Sequence, residues 1–461
     1  MKTISSLTAR ILIVTLAVIF SASTIQADTL ASLIDKALER NISLQISDLE
    51  IERSFIDQKI SDNALIPDVN FVINRTSKDF KDDYQKKSPA SIDKMMTYSL
   101  KLTQSYPGLG RIPAIQKEIT RLKTDLKKSY KDSQKVDVLR RLTQIYFKLV
   151  REQELIKIHE TDLILIAALM KVARLNEDLG LVLHNDILRI EVEQLNSNTE
   201  LIKAKNSFEN LKYDLANILD VQNPAAIELE LARSLKFSTS SFTSEALLPE
   251  LFKIDNDINI ARTDQTILQK TVQAARSAHL PTLSLDASCN YGREIGPIEG
   301  TKDFAATFIL TTPVYNGNDI ENAVRTAQKA EEIVRLRVRD ISNNKKAILE
   351  KAVADYNEAL SRISFAEKMT EQSYENMRIV FTRYQEGASS IVELIDAQRL
   401  LTNSSQTAVK AYYDERERLV EILLLLHKFD ELYLTDQNPS LLNTDFLMQA
   451  LKLGEKPQET R

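Results

Sequence analysis

Cysteine, glycine and proline are scarce in this 461-residue chain, and long apolar runs are missing after its first segment. Cys289 is the only cysteine, so a disulfide within the chain is impossible and a cysteine-based metal site is not indicated. The formal net charge is −5 and there is no basic tract, which argues against nucleic acid as a partner. Because no later stretch has the apolar length of a membrane helix, crossing a membrane would require β-strands.

The residues that commonly carry enzyme chemistry form no cluster here. His159, His184, His279 and His427 are scattered and do not make an HExxH motif. A glycine-rich phosphate loop and a nucleophile elbow are also missing. We therefore expect no enzyme activity, no cofactor and no metal site.

The first residues have the pattern of a signal peptide. Lys2 and Arg10 precede the apolar run 11–20, and small polar residues continue to Ala27. This predicts a signal peptide over 1–27 and an exported chain of net charge −7, because two positive charges are removed. The alternative is an uncleaved membrane anchor, for which the run is short, since a spanning helix needs ~20 residues. Ile25 stands where a small residue is preferred, so the cleavage site is placed only to within a few residues.

The few glycines and prolines recur in the same order in both halves of the chain. Four landmarks repeat at offsets of 206 to 215 residues: Pro67 with Pro281, Pro107 with Pro313, Gly180 with Gly387, and Pro224 with Pro439. An ordered set of this kind indicates a duplication. We assign 28–243 to the first repeat, 244–436 to the second, and 437–461 to a C-terminal tail without a predicted role.

Between these landmarks the apolar residues recur every three or four positions, which predicts long amphipathic helices. The helix over 113–178 would reach roughly 100 Å at ~1.5 Å per residue, far beyond the usual length. Each long helix should turn at its glycine and return, over 184–222 in the first repeat and 390–430 in the second. Shorter helices are predicted over 29–64 and 244–280.

Four short segments instead alternate apolar and polar residues, which predicts strands at about 66–76, 97–106, 281–291 and 303–312. The predicted apolar faces are Val69, Phe71 and Ile73; Tyr98, Leu100, Leu102 and Tyr106; Leu283, Leu285, Ala287, Cys289 and Tyr291; and Phe304, Ala306, Phe308 and Leu310. Alternation is more often a half-buried sheet of a soluble protein. Here the length of ~9–11 residues also fits membrane strands, and tyrosines sit near strand ends, where aromatic girdles belong.

Four strands are too few to close a barrel in a membrane. Backbone polar groups cannot face lipid unpaired, and membrane barrels have at least ~8 strands. If these strands span a membrane, several copies must share one barrel, with eight strands from two copies or twelve from three.

Four motifs give the chain a resemblance to the TolC family of outer-membrane efflux proteins, over about 29–430. They are LIPDVNF at 65–71, HLPTLSL at 279–285, TPVYNG at 312–317 and YQEGASSIVELIDAQ at 384–398. The resemblance implies a mainly α fold with membrane β-strands, in which two tandem repeats give four strands of a shared trimeric β-barrel plus a long periplasmic α-helical barrel. It further implies an exit duct for tripartite efflux or type I secretion, with partners in outer-membrane lipid, a periplasmic adaptor and an inner-membrane transporter.

The resemblance also implies where the duct closes. Glu393 and Asp396 match the family's ring acids, Tyr384 matches the gate tyrosine, and Asp186 matches its acidic partner. An acidic pair three apart shares a helix face, and in a trimer it would favour cations; by itself such a pair usually marks a solvated face. Ser389 stands where the family's best-known member has an arginine, so one gate salt bridge is missing.

The turns Gly180-Leu181 and Gly387-Ala388 match those that adaptors grip, although the second lacks the usual large apolar residue. Pro67, Pro107, Pro281 and Pro313 are expected at strand-end turns. The exported substrate and the partner pump are not specified by the sequence. The competing interpretation is a soluble periplasmic coiled-coil adaptor or structural protein, which would share the signal and long helices but would not need paired alternating strands.

Overall fold

A computed structural model describes residues 29–77, 94–180, 182–224, 242–294 and 301–433. The predicted signal peptide and C-terminal tail, and Leu181, lie outside these residues. Within them, the chain forms eight α-helices and four β-strands. The helices are α1 Leu30–Arg40, α2 Ile42–Asp62, α3 Arg111–Asp178, α4 His184–Leu219, α5 Ser244–Ile254, α6 Asn256–Ser277, α7 Asp319–Gln385 and α8 Ile391–Leu425. The strands are β1 Asp68–Ser77, β2 Lys94–Tyr106, β3 Thr282–Glu294 and β4 Thr301–Thr311.

The long helices form where the apolar periodicity predicts them. The helix α3 has 68 residues and α7 has 67, and prolines are absent from both beyond the first turn of α3. Pro113 is tolerated there because the first helical N–H groups have no partner within the helix. None of the described helices is apolar enough over a sufficient length to cross a membrane.

Each of the two shorter predicted helices is instead a pair of helices. Asn41 separates α1 from α2 and Asp255 separates α5 from α6, and both have extended ψ angles, 124° and 122°. The Asn41 side chain accepts the N–H of Ser43 and so begins α2. The two breaks are 214 residues apart, the same offset as Pro67 and Pro281. This shared break is a further landmark of the predicted repeats.

The four strands form one antiparallel sheet in the order β1-β2-β3-β4. The strands begin after Pro67 and Pro281 and end before Pro107 and Pro313, because proline has no N–H for the sheet. The predicted bounds hold to within three residues. The central strands β2 and β3 are each three residues longer at the loop end, where Lys94-Met95-Met96 and Gly292-Arg293-Glu294 continue the pairing without apolar-polar alternation.

The registers place the predicted apolar residues on one face of the sheet. Phe71 is opposite Leu100, which is opposite Cys289, which in turn is opposite Phe304. One row nearer the loops, Tyr98 stacks on Tyr291 with ring centroids 6.2 Å apart. Most of these apolar side chains are exposed, including Phe71, Phe304 and Phe308 at 65%, 75% and 73%. The sheet therefore presents an uncovered apolar face.

The chain divides into two compact units. One contains 29–45, 134–255 and 345–433 of the described residues, and the other contains 46–133 and 256–344. The second unit holds the sheet and a small cluster of Ile115, Ile119 and Ile267.

The first unit holds two large apolar clusters. One joins α1, α3, α4, α7 and the end of α8, and contains the fully buried Tyr146 and Tyr356. The other brings α3, α4, α7 and α8 together beside Gly180 and Gly387, and contains the candidate gate residue Tyr384.

Candidate gate, turns and sheet edges

The two turns at Gly180 and Gly387 share one backbone geometry. Each glycine has φ +73°, and a Cβ added at either would meet nothing within 4 Å. The requirement for glycine is therefore conformational, since other residues rarely adopt positive φ. Leu179 and Leu183 flank the first turn and are 72% and 74% exposed, whereas the second turn presents Ala388. The first turn thus offers the larger apolar surface.

The start of α8 is capped by a pair of serines. Ser390 is the N-cap, and its hydroxyl accepts the backbone N–H of Glu393 at 3.3 Å. Ser389 donates its hydroxyl to the Glu393 carboxylate. Glu393 is exposed in the first turn of the helix, where the helix dipole favours a negative charge. A neutral donor therefore holds this candidate ring acid.

Asp396 lies one turn further along, on the same exposed face of α8. It lines a groove of about 320 Å³ between α4 and α8, together with Arg189, Arg399 and apolar side chains that include Val192 and Ile395. The negative charge of Asp396 raises the pKa of Arg399, after the larger effect of Glu193. The resemblance implied an acidic ring; in the structure two arginines line the same groove as one of its acids.

Tyr384 is buried, 4% exposed, among the apolar residues of the four helices. Burial raises the pKa of its phenol; Asn176 acts in the opposite direction and the negative charge of Asp186 adds to the increase. Among the described residues, the phenolic oxygen has no partner in good hydrogen-bond geometry. The structure thus brings Tyr384 and Asp186 into the same region without a hydrogen bond between them.

A buried carboxylate that the sequence analysis did not single out lies in the same unit. Asp162 on α3 is 6% exposed and accepts hydrogen bonds from Ser197 on α4 and from Gln398 and Thr402 on α8. The signal in the sequence is weak, because one aspartate in a 68-residue amphipathic helix does not disturb its periodicity. Its three hydrogen-bond partners are between 35 and 240 residues away along the sequence, so local patterns do not reveal them.

The predicted strand-end turn at Pro107 is joined to that at Pro281. The residues Gly108, Leu109 and Gly110 all have positive φ, and the Leu109 N–H donates to the Pro281 carbonyl at 2.8 Å. A Cβ on Gly108 would lie 2.8 Å from the Ser277 carbonyl oxygen. This close packing fixes the point at which the ends of β2 and β3 connect to helices.

Two helices carry exposed apolar stripes at helical spacing. The stripe on α2 contains Ile46, Leu49, Ile56 and Ile60, and the stripe on α4 contains Leu188, Val192, Leu195 and Ile202. Single exposed apolar residues are ordinary, but repeated ones on one helix face indicate a surface that packs against another molecule.

Comparison with known proteins agrees with this arrangement. The family model described as outer membrane efflux protein matches residues 247–426. The outer membrane protein TolC of Vibrio cholerae is 21% identical over 441 residues, which cover 91% of this chain and 95% of that protein.

Solved structures share the fold. The outer membrane protein VceC of Vibrio cholerae has a TM-score of 0.74 at 15% identity, covering 86% of this chain and 95% of that one. The MtrE outer membrane channel of Neisseria gonorrhoeae, solved in its open state, has a TM-score of 0.72 at 20% identity, covering 86% and 88%. The chain is therefore similar to outer membrane efflux proteins in the second half of its sequence, to TolC over nearly its whole length, and to solved outer membrane channels in its fold.

Proposed function

We propose that three copies of this chain form the outer-membrane exit duct of a tripartite efflux or type I secretion system. The observation that carries the proposal is the sheet, which ends on β1 and β4 without a further partner strand among the described residues. An exposed apolar face suits lipid, but the open edges cannot remain there unless they pair with strands of other copies. Twelve strands from three copies would close the sheet.

The helical stripes support assembly with copies of the same chain. The residues on α2 and α4 repeat at the spacing by which helices pack side by side, and none of them is a member of a buried apolar cluster. An adaptor would bind at the turns around Gly180 and Gly387, with Leu179 and Leu183 as its apolar contacts. The duct itself carries out no enzymatic step, and transport is driven by the inner-membrane partner.

Fractionation tests the location and the assembly together. We expect the chain in the outer-membrane fraction as a trimer that withstands detergent and separates into monomers on heating. A product released with the periplasmic contents would contradict the duct and favour the periplasmic coiled-coil interpretation. Conductance of the purified trimer in a planar bilayer tests the channel itself.

The acids Glu393 and Asp396 are proposed to set cation preference and divalent block. Six carboxylates in a trimer would attract cations, although Arg189 and Arg399 in the same groove offset part of that charge. A double variant, Glu393→Ala with Asp396→Ala, should lose cation selectivity and block in planar bilayers. Unchanged selectivity and unchanged block would reject this role.

Tyr384 and Asp186 are proposed to contribute to closure of the duct. The Asp186 carboxylate is near enough for its charge to raise the pKa of the buried Tyr384 phenol, and a hydrogen bond between the two would be strengthened in a desolvated site. Replacing Tyr384 with phenylalanine removes only the hydroxyl. If single-channel conductance and antibiotic uptake stay as they were, this pair does not form the gate.

A further inference from the structure

The first turns of α8 contact the other helices of the unit through the face opposite the candidate ring acids. Glu393 and Asp396 are exposed, whereas Gln398 is 1% exposed and faces the other helices of the unit. Arg399 and Thr402 follow within the next turn. Any movement of the first turns of α8 must therefore bend or break the contacts made by these three residues.

Asp162 is the centre of the larger anchor. One carboxylate oxygen accepts the Ser197 hydroxyl at 2.6 Å, and the other accepts the Thr402 hydroxyl at 2.6 Å and the Gln398 side-chain amide. Hydrogen bonds to a charged group contribute more than neutral ones, and a buried carboxylate that loses its donors is costly. Moving α8 away from α3 would leave Asp162 with Ser197 alone.

Glu193 is the centre of the second anchor. It is 4% exposed on α4, and one of its oxygens accepts the Arg399 Nε at 3.0 Å and an Nη of the same guanidinium. The hydrogen bond to Glu193 is the largest influence that raises the pKa of Arg399. Among the described residues, the hydrogen bonds from 391–405 of α8 to α3 and α4 all end on Asp162 or Glu193.

Other side-chain contacts hold α7 to α8 and α3 to α4, so these four helices form two pairs. On α7 and α8, the hydroxyls of Ser373 and Ser404 lie 2.5 Å apart, and Thr370 donates to the Ser404 carbonyl at 3.3 Å. On α3 and α4, Lys205 pairs with Glu160 at 2.9 Å. The bonds at Asp162 and Glu193 therefore connect one helix pair to the other in this part of the unit.

We infer that Asp162 and Glu193 are positioning residues that latch α8 to α3 and α4 and so hold Glu393 and Asp396 in place. The inference rests on the proposed duct function and adds a second closing element to it. Ser389 cannot form a salt bridge, and the Tyr384 phenol has no partner in good hydrogen-bond geometry among the described residues. The bonds at Asp162 and Glu193 are therefore the side-chain connections that hold 391–405 of α8 to α3 and α4. Loosening them should favour the open channel without changing the ring acids themselves.

Two threonines on α8 provide a matched test. Thr402→Val removes the bond to Asp162, whereas Thr407→Val removes only an exposed hydroxyl that bonds to the Asn403 carbonyl of its own helix. In planar bilayers we expect Thr402→Val to raise the ratio of open to closed time by about tenfold, as loss of one charge-assisted bond allows. It should also change the divalent-cation concentration that gives half block. Thr407→Val should match wild type, and Thr402→Ser, which restores the hydroxyl, should return toward it.

The outcomes separate this inference from the duct proposal. If wild type conducts and Thr402→Val gates and blocks as Thr407→Val does, the latch is wrong while the duct stands. If purified wild-type trimer does not conduct, the duct itself fails. Asp162→Asn keeps the shape of the side chain and removes its charge, so it tests the same latch if Thr402→Val yields no heat-dissociable trimer. Wild-type gating by a well-assembled Asp162→Asn trimer would overturn the inference.

Discussion

Arg416 is the cation beside a buried carboxylate on α8, so replacing it with methionine should strongly destabilise the first unit. Glu415 is 1% exposed and its Oε2 lies 3.3 Å from Arg416 Nε. Neither carboxylate oxygen has a hydrogen-bond partner in good geometry among the described residues. Burial and the charge of Glu415 raise the pKa of the neighbouring Tyr356 to about 12.

The magnitude follows from removing one partner of a buried pair. Arg416→Met leaves the Glu415 carboxylate without its counter-ion, which typically costs about 3–5 kcal/mol of unfolding free energy. Replacing both residues, with Glu415→Leu and Arg416→Met, removes both charges and should be neutral or stabilising by about 1–4 kcal/mol. The double variant should therefore be more stable than the single variant.

The pH dependence of Arg416→Met has a definite sign. Burial raises the pKa of Glu415, while Arg416 lowers it by a smaller amount, so the folded state holds this proton more tightly than the unfolded state. The loss of unfolding free energy in Arg416→Met is complete at pH values above the raised pKa of Glu415 in the folded state. It disappears as the pH falls below the ordinary value of 4.5, because the carboxyl is then protonated in both the folded and the unfolded state.

Circular dichroism of the helices during heating measures this at neutral and acid pH. The apparent melting temperature of Arg416→Met should fall by several degrees at neutral pH, and the deficit relative to wild type should shrink in acid. Arg325→Met, which removes an exposed pair with Glu321, is the matched control and should cost less than about 1 kcal/mol. An Arg416→Met variant as stable as this control, or a deficit that is independent of pH, would refute the reasoning.

Three further variants test other parts of the structure. Gly108→Ala should lower the heat resistance of the trimer by more than Gly180→Ala, because both need positive φ but only the former places a Cβ 2.8 Å from a backbone oxygen; equal losses would count against that contact. Ser389→Ala should free the Glu393 carboxylate and lower the divalent-cation concentration that gives half block in planar bilayers, and an unchanged block would argue that the bond has no role. Phe71→Lys on the apolar face should cost about 2–4 kcal/mol in lipid and reduce the outer-membrane yield, whereas Asn74→Lys on the polar face should insert normally; equal yields would contradict the assigned faces.

The strands and their faces could be predicted because period-two alternation depends only on neighbouring residues. Phe71, Leu100 and Phe304 were assigned to apolar faces from alternation, and the registers confirm that they share one face. The breaks at Asn41 and Asp255 could not be predicted in the same way. Neither is marked by a glycine or proline, and polar residues are ordinary on the surface of an amphipathic helix.

The candidate site was predicted less completely, because its contacts join distant parts of the chain. The positions of Glu393, Asp396 and Tyr384 came from the TolC resemblance, and their roles remain predictions. The Asp162 anchor depends on side chains from three helices that meet only after folding. The bond from Ser389 to Glu393 joins residues only four positions apart in the sequence. It was not predicted, because the resemblance was interpreted at this position only as the loss of a salt bridge.

The pairing of β2 with β3 has a consequence for how the chain folds. Their partner residues are 177 to 199 positions apart, from Tyr106 with Leu283 to Met95 with Glu294. Contacts of such high sequence separation form slowly, since the entropy of closing the loop is lost before the contacts compensate for it. The hairpin of the first repeat must therefore wait, with its apolar face and one inner edge uncovered, until the second repeat has been exported. During that interval the unfinished chain is most exposed to aggregation and proteolysis.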